Sequence, residues 1–207
     1  MLDLTQLPPE AFRRWDESPD PIFYAQPRFV THIDAGAIAA VTQLYREYFP
    51  AGGDLLDVCS SWVSHLPEDI AYRQVIGIGL NAAELAANPR LTQWFVHDLN
   101  ANPCLPLPDA CLDAAGLCVS VDYLAHPIAV LRDVGRVLRP GGPLVITFSN
   151  RCFPTKAIAI WLALTDHQRC RLVEGFLQAA GVWRDIQTLD RSPGGGDPLY
   201  AVIGRRV

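Results

Sequence analysis

Over residues 54–148, short apolar runs with β character alternate with segments whose apolar side chains recur every three or four positions. Residues 54–58, 74–78, 94–97, 112–119 and 144–148 read as strands. Asn81 caps a helix expected over 81–87. Ile128, Leu131, Val134 and Leu138 place a second helix over 127–138, with Pro127 tolerated in its first turn. Residues 62–66 read as a poor helix or a turn. Upstream, Asp34 caps a run in which Ile38, Val41, Leu44, Tyr45, Tyr48 and Phe49 recur at helical spacing, and Pro50-Ala51-Gly52-Gly53 ends it. Downstream, 153–163 and 167–180 have helical spacing. Two strand-like runs, 184–189 and 199–203, then flank a turn-rich separator and predict a closing antiparallel hairpin. Pro8, Pro9, Pro19, Pro21 and Pro27 make the first 27 residues an irregular arm, with one short helix expected around 9–15. The alternation predicts an α/β fold built from right-handed βαβ units on a mostly parallel sheet, with ligands at the strands' carboxyl ends. The expected organisation is an N-terminal arm and helix over 1–53, part of the same domain as the body at 54–207.

Composition narrows the function. Half of the 207 residues are apolar and 19% are charged, as in a chain that buries a substantial core. A net charge of −5, with basic residues clustered no further than the pairs Arg13-Arg14 and Arg205-Arg206, argues against nucleic acid as a partner. Six cysteines fall in neither CxxC nor paired His/Cys spacing, so no metal site and no disulfide framework is expected, and a reducing cytoplasm is. The start, Met1-Leu2-Asp3-Leu4, lacks a leader pattern, and no run is long enough to span a bilayer, so no membrane partner is expected.

Arg136-Val137-Leu138-Arg139-Pro140-Gly141-Gly142 leaves a helix, turns on Pro-Gly-Gly and enters an apolar strand, with Leu112-Asp113 some twenty-four residues upstream of it. This pattern resembles the Rossmann-like class I S-adenosylmethionine-dependent methyltransferases, in particular methyltransferase type 11. The resemblance covers about residues 54–148. It implies a seven-stranded, mostly parallel sheet with helices on both faces, the terminal hairpin supplying the last two strands, and S-adenosylmethionine as cofactor with a small-molecule methyl acceptor. By position it implies cofactor contacts at Asp57, Cys59 and Ser61 after the first strand, at Asp98-Leu99 after the third, and at Ser120 after the fourth. Two departures stand out. Cys59, Ser61 and Val63 occupy the family's glycine positions, and Gly79 stands where a carboxylate normally receives both ribose hydroxyls. A hydrogen bond to a charged group contributes about 1.5–3 kcal/mol and about 1.4 kcal/mol is tenfold in affinity, so that loss weakens binding without abolishing it. Asn81 and Glu84 are placed to reach the ribose instead. Trp62, beside the first turn, has either to pack into the protein or to take cofactor space.

Methyl transfer asks mainly for alignment and desolvation, with a base in some cases. The segment after the fourth strand offers Asp122, Tyr123 and His126 as polar groups near the reacting centre, and the segment after the fifth offers Asn150 and Arg151. In the arm, Tyr24, Arg28 and His32 read as a lid or substrate wall, with Arg28 able to pair with a carboxylate. His65 and His97 read as capping or sheet-edge residues. Two readings of function follow: a methyltransferase acting on a small molecule, and a non-catalytic relative using the same crevice for a partner or another ligand. A nicotinamide oxidoreductase is disfavoured because no glycine-rich phosphate turn is present.

Overall fold

The computed structural model describes residues 7–207, so the opening Met1-Leu2-Asp3-Leu4 lies outside the described residues. Seven strands form one sheet: β1 (Asp54–Val58), β2 (Gln74–Gly79), β3 (Gln93–Val96), β4 (Ala114–Cys118), β5 (Pro143–Phe148), β6 (Trp183–Asp190) and β7 (Tyr200–Arg206), in the order β3-β2-β1-β4-β5-β7-β6. The first five run parallel. β7 is antiparallel to both β5 and β6, as the turn-rich separator predicts.

Helices cover both faces. α2 (Ala35–Tyr48) begins where Asp34 accepts the Ala37 amide and lays Val41, Leu44 and Tyr45 against Leu55, Ala114 and Val145. α4 (Pro127–Val137) and α6 (Asp166–Ala180) bury Val130, Leu131, Val134, Leu172, Val173 and Phe176 on the opposite face, against Leu56, Leu117 and Ile146. α3 (Ala82–Ala87) carries the β2 to β3 crossing, and its cap is Asn81, whose Oδ1 accepts the amides of Ala83 and Glu84. Two short helices remain, α1 (Asp20–Phe23) and α5 (Ala159–Ala163).

The Arg-Pro-Gly-Gly turn has a structural cause. Gly141 takes φ +82°, and a Cβ on Gly142 would lie 2.7 Å from the Asp113 carbonyl oxygen. Arg139 pairs with Asp113 at 2.5 Å, while Arg136 gathers Asp133, Asp109 and the carbonyls of Leu105 and Leu107, pinning the proline-rich loop before β4 to α4.

Three local expectations are corrected. Residues 62–66 hold no helix, and the whole β1 to β2 connection is irregular. The helix expected at 153–163 forms only at Ala159–Ala163, because Pro154 interrupts it and Lys156 turns inward to an ion network. The strand expected from 112 starts at Ala114, Leu112 making an isolated parallel bridge to Leu138.

The arm is docked. Arg14 bridges Ile158, the Asp16 amide donates to the Thr155 carbonyl at 2.8 Å, and Asp34 exchanges two backbone-to-carboxylate hydrogen bonds with Asp197 in the hairpin loop.

Candidate functional site

The strand order reverses direction between β1 and β4, and at that switch point the carboxyl ends of β1, β2 and β4 open into a cleft roofed by the arm, with a cavity of about 150 Å³. Asp57, Cys59 and Ser61 reach it from β1, Asn81 from β2, Asp98 and Leu99 from β3, and Ser120 and Tyr123 from β4. Tyr24, Arg28 and His32 reach it from the arm. Four other candidates stand off the lining. Asp122 is buried behind the wall, His126 is exposed at the start of α4, Asn150 is exposed, and the largely exposed Arg151 lies 3.7 Å from Asp197.

The turn after β1 explains how the chain manages without glycines. Cys59 takes φ +56°, the left-handed conformation that glycine would adopt freely. The next residues are held by side chains. The Asp57 carboxylate accepts the hydroxyls of Ser60 and Ser64, each at 2.6 Å; burial pushes this acid up to about 6, while the two hydroxyls draw it down. The Ser60 amide donates to Ile78 at 2.7 Å, and Asn88 donates to the Ser61 carbonyl at 2.8 Å. The loop is thereby drawn over the end of β2.

That path accounts for Gly79. A Cβ there would lie 2.2 Å from the Ser60 carbonyl oxygen, so the space of a ribose-binding side chain is filled by main chain. Restoring the acid as Gly79→Asp is expected to destabilise the fold by at least about 1–3 kcal/mol through overpacking. A urea melt checks this, and an unchanged midpoint would contradict the crowding.

Asn81 and Glu84 are already engaged. Asn81 Nδ2 donates to the Tyr24 carbonyl at 2.9 Å; Glu84 accepts the Arg28 amide at 2.7 Å and the Ser61 hydroxyl at 2.6 Å. They clamp arm, loop and α3 together. Trp62 packs on the arm, its indole donating to the Val30 carbonyl at 3.1 Å and meeting Phe29 edge to face.

On the adenine side of the resemblance, Asp98 Oδ1 accepts the amides of Asn100 and Ala101, while Oδ2 takes no hydrogen bond from the described residues. Asn100 ties this turn to Asp20 of the arm at 2.7 Å and to the Tyr123 carbonyl at 2.9 Å. Beyond β4, Val119 takes φ +42°, an outlier for a β-branched residue, and Ser120 donates to the Cys118 carbonyl. Burial pushes the thiols of Cys59 and Cys118 up to about 12, so neither is a thiolate at neutral pH. Burial also raises the Tyr123 phenol well above its usual range, and its oxygen accepts the Phe153 amide at 2.8 Å.

Sequence reasoning missed several lining residues. His65 lines the cleft with φ +53°, and burial lowers both it and His32, so both imidazoles are neutral at pH 7. Asp20, Asn100 and Phe153 also line it, drawn in by contacts between distant segments. No cluster of His, Cys, Asp or Glu suited to a metal occurs among the described residues, and none of their helices is long and apolar enough to cross a membrane.

Residues 57–146 match the family model described as a methyltransferase domain, that of methyltransferase type 11. No curated protein matches the chain. Among solved structures, the [4+2]-cyclase SpnF is similar at 18% identity and a TM-score of 0.63, covering 90% of this chain and 91% of its own. An S-adenosylmethionine-dependent methyltransferase from Mesorhizobium loti is similar at 17% identity and a TM-score of 0.57, covering 81% and 98%. Phosphoethanolamine N-methyltransferase 2 of Haemonchus contortus, in complex with phosphomonomethylethanolamine and S-adenosylhomocysteine, has 13% identity and a TM-score of 0.60, covering 81% and 52%. These likenesses share the fold. The chain thus resembles the class I S-adenosylmethionine-dependent methyltransferases, and its donor set fits that cofactor at two ends: the uncommitted Asp98 oxygen beside Leu99, and the polar turn from Asp57 to Ser61 facing Ser120. At the ribose it departs from the family.

Proposed function

We propose that this chain, whose residues 57–146 match a methyltransferase domain, takes S-adenosylmethionine at the carboxyl ends of β1, β2 and β4 and methylates a small molecule held beneath the arm. The observation that carries the reading is the convergence of Asp57, Asp98 and Ser120 on one roofed cleft. Asp98 and Leu99 would hold the adenine; Cys59, Ser61 and Ser120 would border the methionine. Bound there, S-adenosylmethionine supplies a methyl group activated by its sulfonium charge. The chain's own contribution is alignment and the exclusion of water, with Tyr24 and Trp62 in the roof and Tyr123 in the wall. Tyr123 keeps its proton at neutral pH, so its role is to form that wall and to position Phe153. The neutral imidazole of His32 is available to take a proton from an acceptor. Six free cysteines support a reducing compartment.

The non-catalytic reading is not favoured, since the family matched is one of methyltransferases. Calorimetric titration with S-adenosylmethionine and S-adenosylhomocysteine tests the proposal. Binding is expected, weakened about ten- to hundredfold in Asp98→Ala, which is the worth of one hydrogen bond to a charged group. No heat and no thermal shift at millimolar ligand would sink the enzyme reading.

A further inference from the structure

Arg28 makes no ion pair among the described residues. Its guanidinium carbon lies 4.7 Å from the ring centroid of Phe23 and 5.6 Å from those of Tyr24 and Phe153, so a cation is held by three aromatic faces. Its hydrogen bonds go to backbone carbonyls, Phe23 at 2.9 Å and Gln26 at 3.5 Å. Phe153 is the hub of the cluster, meeting Phe23 edge to face at 5.4 Å and lying 5.9 Å from Tyr123. Tyr24, Arg28, Tyr123 and Phe153 all line the cleft, so the rings border space that a ligand can enter.

We infer that this cluster is a subsite for an organic cation, the amine or alkylammonium group of the methyl acceptor, and that the Arg28 guanidinium is a resident stand-in which the acceptor displaces. The inference rests on the proposed function and names its acceptor class. Charge favours a cation: Asp57, Glu84 and Asp98 line the cleft with Asp20, which Arg14 and Lys156 offset, while Arg28 is the cleft's own formal cation and burial keeps the lining imidazoles of His32 and His65 neutral. An anionic acceptor would enter a field of its own sign. Displacement is also permitted, because Arg28 is held by rings and carbonyls alone and its departure strands no buried carboxylate.

The probe is tetramethylammonium chloride, titrated calorimetrically into the full chain without cofactor at fixed ionic strength. Arg28→Gln is expected to bind it at least tenfold more tightly than the unaltered chain, because the competing guanidinium is gone, and adding Phe153→Leu is expected to reverse that gain. Should Arg28→Gln fail to fold by circular dichroism, the unaltered chain is compared with Phe153→Leu alone, and loss of the probe in that variant is the expected result. A folded Arg28→Gln with no gain, binding indifferent to Phe153→Leu, or no binding to either chain in the fallback comparison would overturn the subsite. So would acetate binding that is lost in Arg28→Gln, which would assign Arg28 to an anion. The probe needs no S-adenosylmethionine, so failure of the cofactor to bind and failure of the cation subsite are separate results.

Discussion

Asp20→Ala is expected to lower stability by about 3–5 kcal/mol, the cost of breaking a buried ion pair from one side. In a chain of this size that corresponds to a fall in Tm on the order of 10 °C. Asp20 is 3% exposed, and its carboxylate takes Arg14 at 2.7 Å, Asn100 at 2.7 Å and Lys156 at 3.3 Å. The Lys156 side chain has no exposure at all, its other partners being the Ser18 carbonyl at 2.7 Å and Asp16 at 3.2 Å. Removing Asp20 leaves Arg14 without a carboxylate and Lys156 with only the partly exposed Asp16, and it cuts the tie from the arm to the Asp98 turn. Lys156→Met should cost less. It withdraws one cation, fills much of the same space and leaves Asp20 paired with Arg14. Differential scanning calorimetry of the two variants checks the ranking, and equal losses, or none in Asp20→Ala, would show that the arm is held by its apolar contacts instead.

That network also shows what a single sequence conceals. The five parallel strands were legible as short runs rich in apolar residues, the last two from strand-like segments flanking a turn-rich separator, and the helices α2, α4 and α6 from their spacing and caps. The docking of the arm was not, because Asp20 and Lys156 are separated by most of the chain and neither has a local pattern that announces the other. The site was legible to a similar depth. Asp57, Asp98 and Ser120 could be placed because strand ends at a switch point converge whatever the loops do. The course of residues 59–64 could not. It depends on Ser60 and Ser64 finding Asp57, on Asn88 finding Ser61, and on Gly79 leaving room for the Ser60 carbonyl. Read alone, Gly79 is a lost carboxylate; in the fold it is also the condition for a first turn without glycines.

Asp122 supplies the second large effect, and pH reveals it. Its carboxyl is 2% exposed, Oδ2 finds no hydrogen-bond partner among the described residues, and burial raises the group to about 8. A hydrogen bond from its own backbone amide, the attraction of Arg169 and a hydrogen bond with Tyr123 pull it down only in part. An acid whose folded value lies above its unfolded value near 4 binds its proton more tightly in the native state. Its stabilising contribution is therefore fully present below about pH 4 and is lost as pH rises through about 8. Asp57, raised to about 6, acts in the same direction over a narrower window. Asp122→Asn cannot ionise. Its amide leaves a polar group without a partner at every pH, which offsets the comparison by a constant, but the advantage of the variant over the unaltered chain should grow from pH 4 to pH 8 and then level off. Each pH unit separating the folded from the unfolded value is worth about 1.4 kcal/mol, which puts the full change on the order of several kcal/mol. Paired urea melts at pH 5 and pH 9 measure it, and because the other titrating groups are common to both chains, a difference between the two that stays constant with pH would mean that Asp122 is already ionised in the native protein.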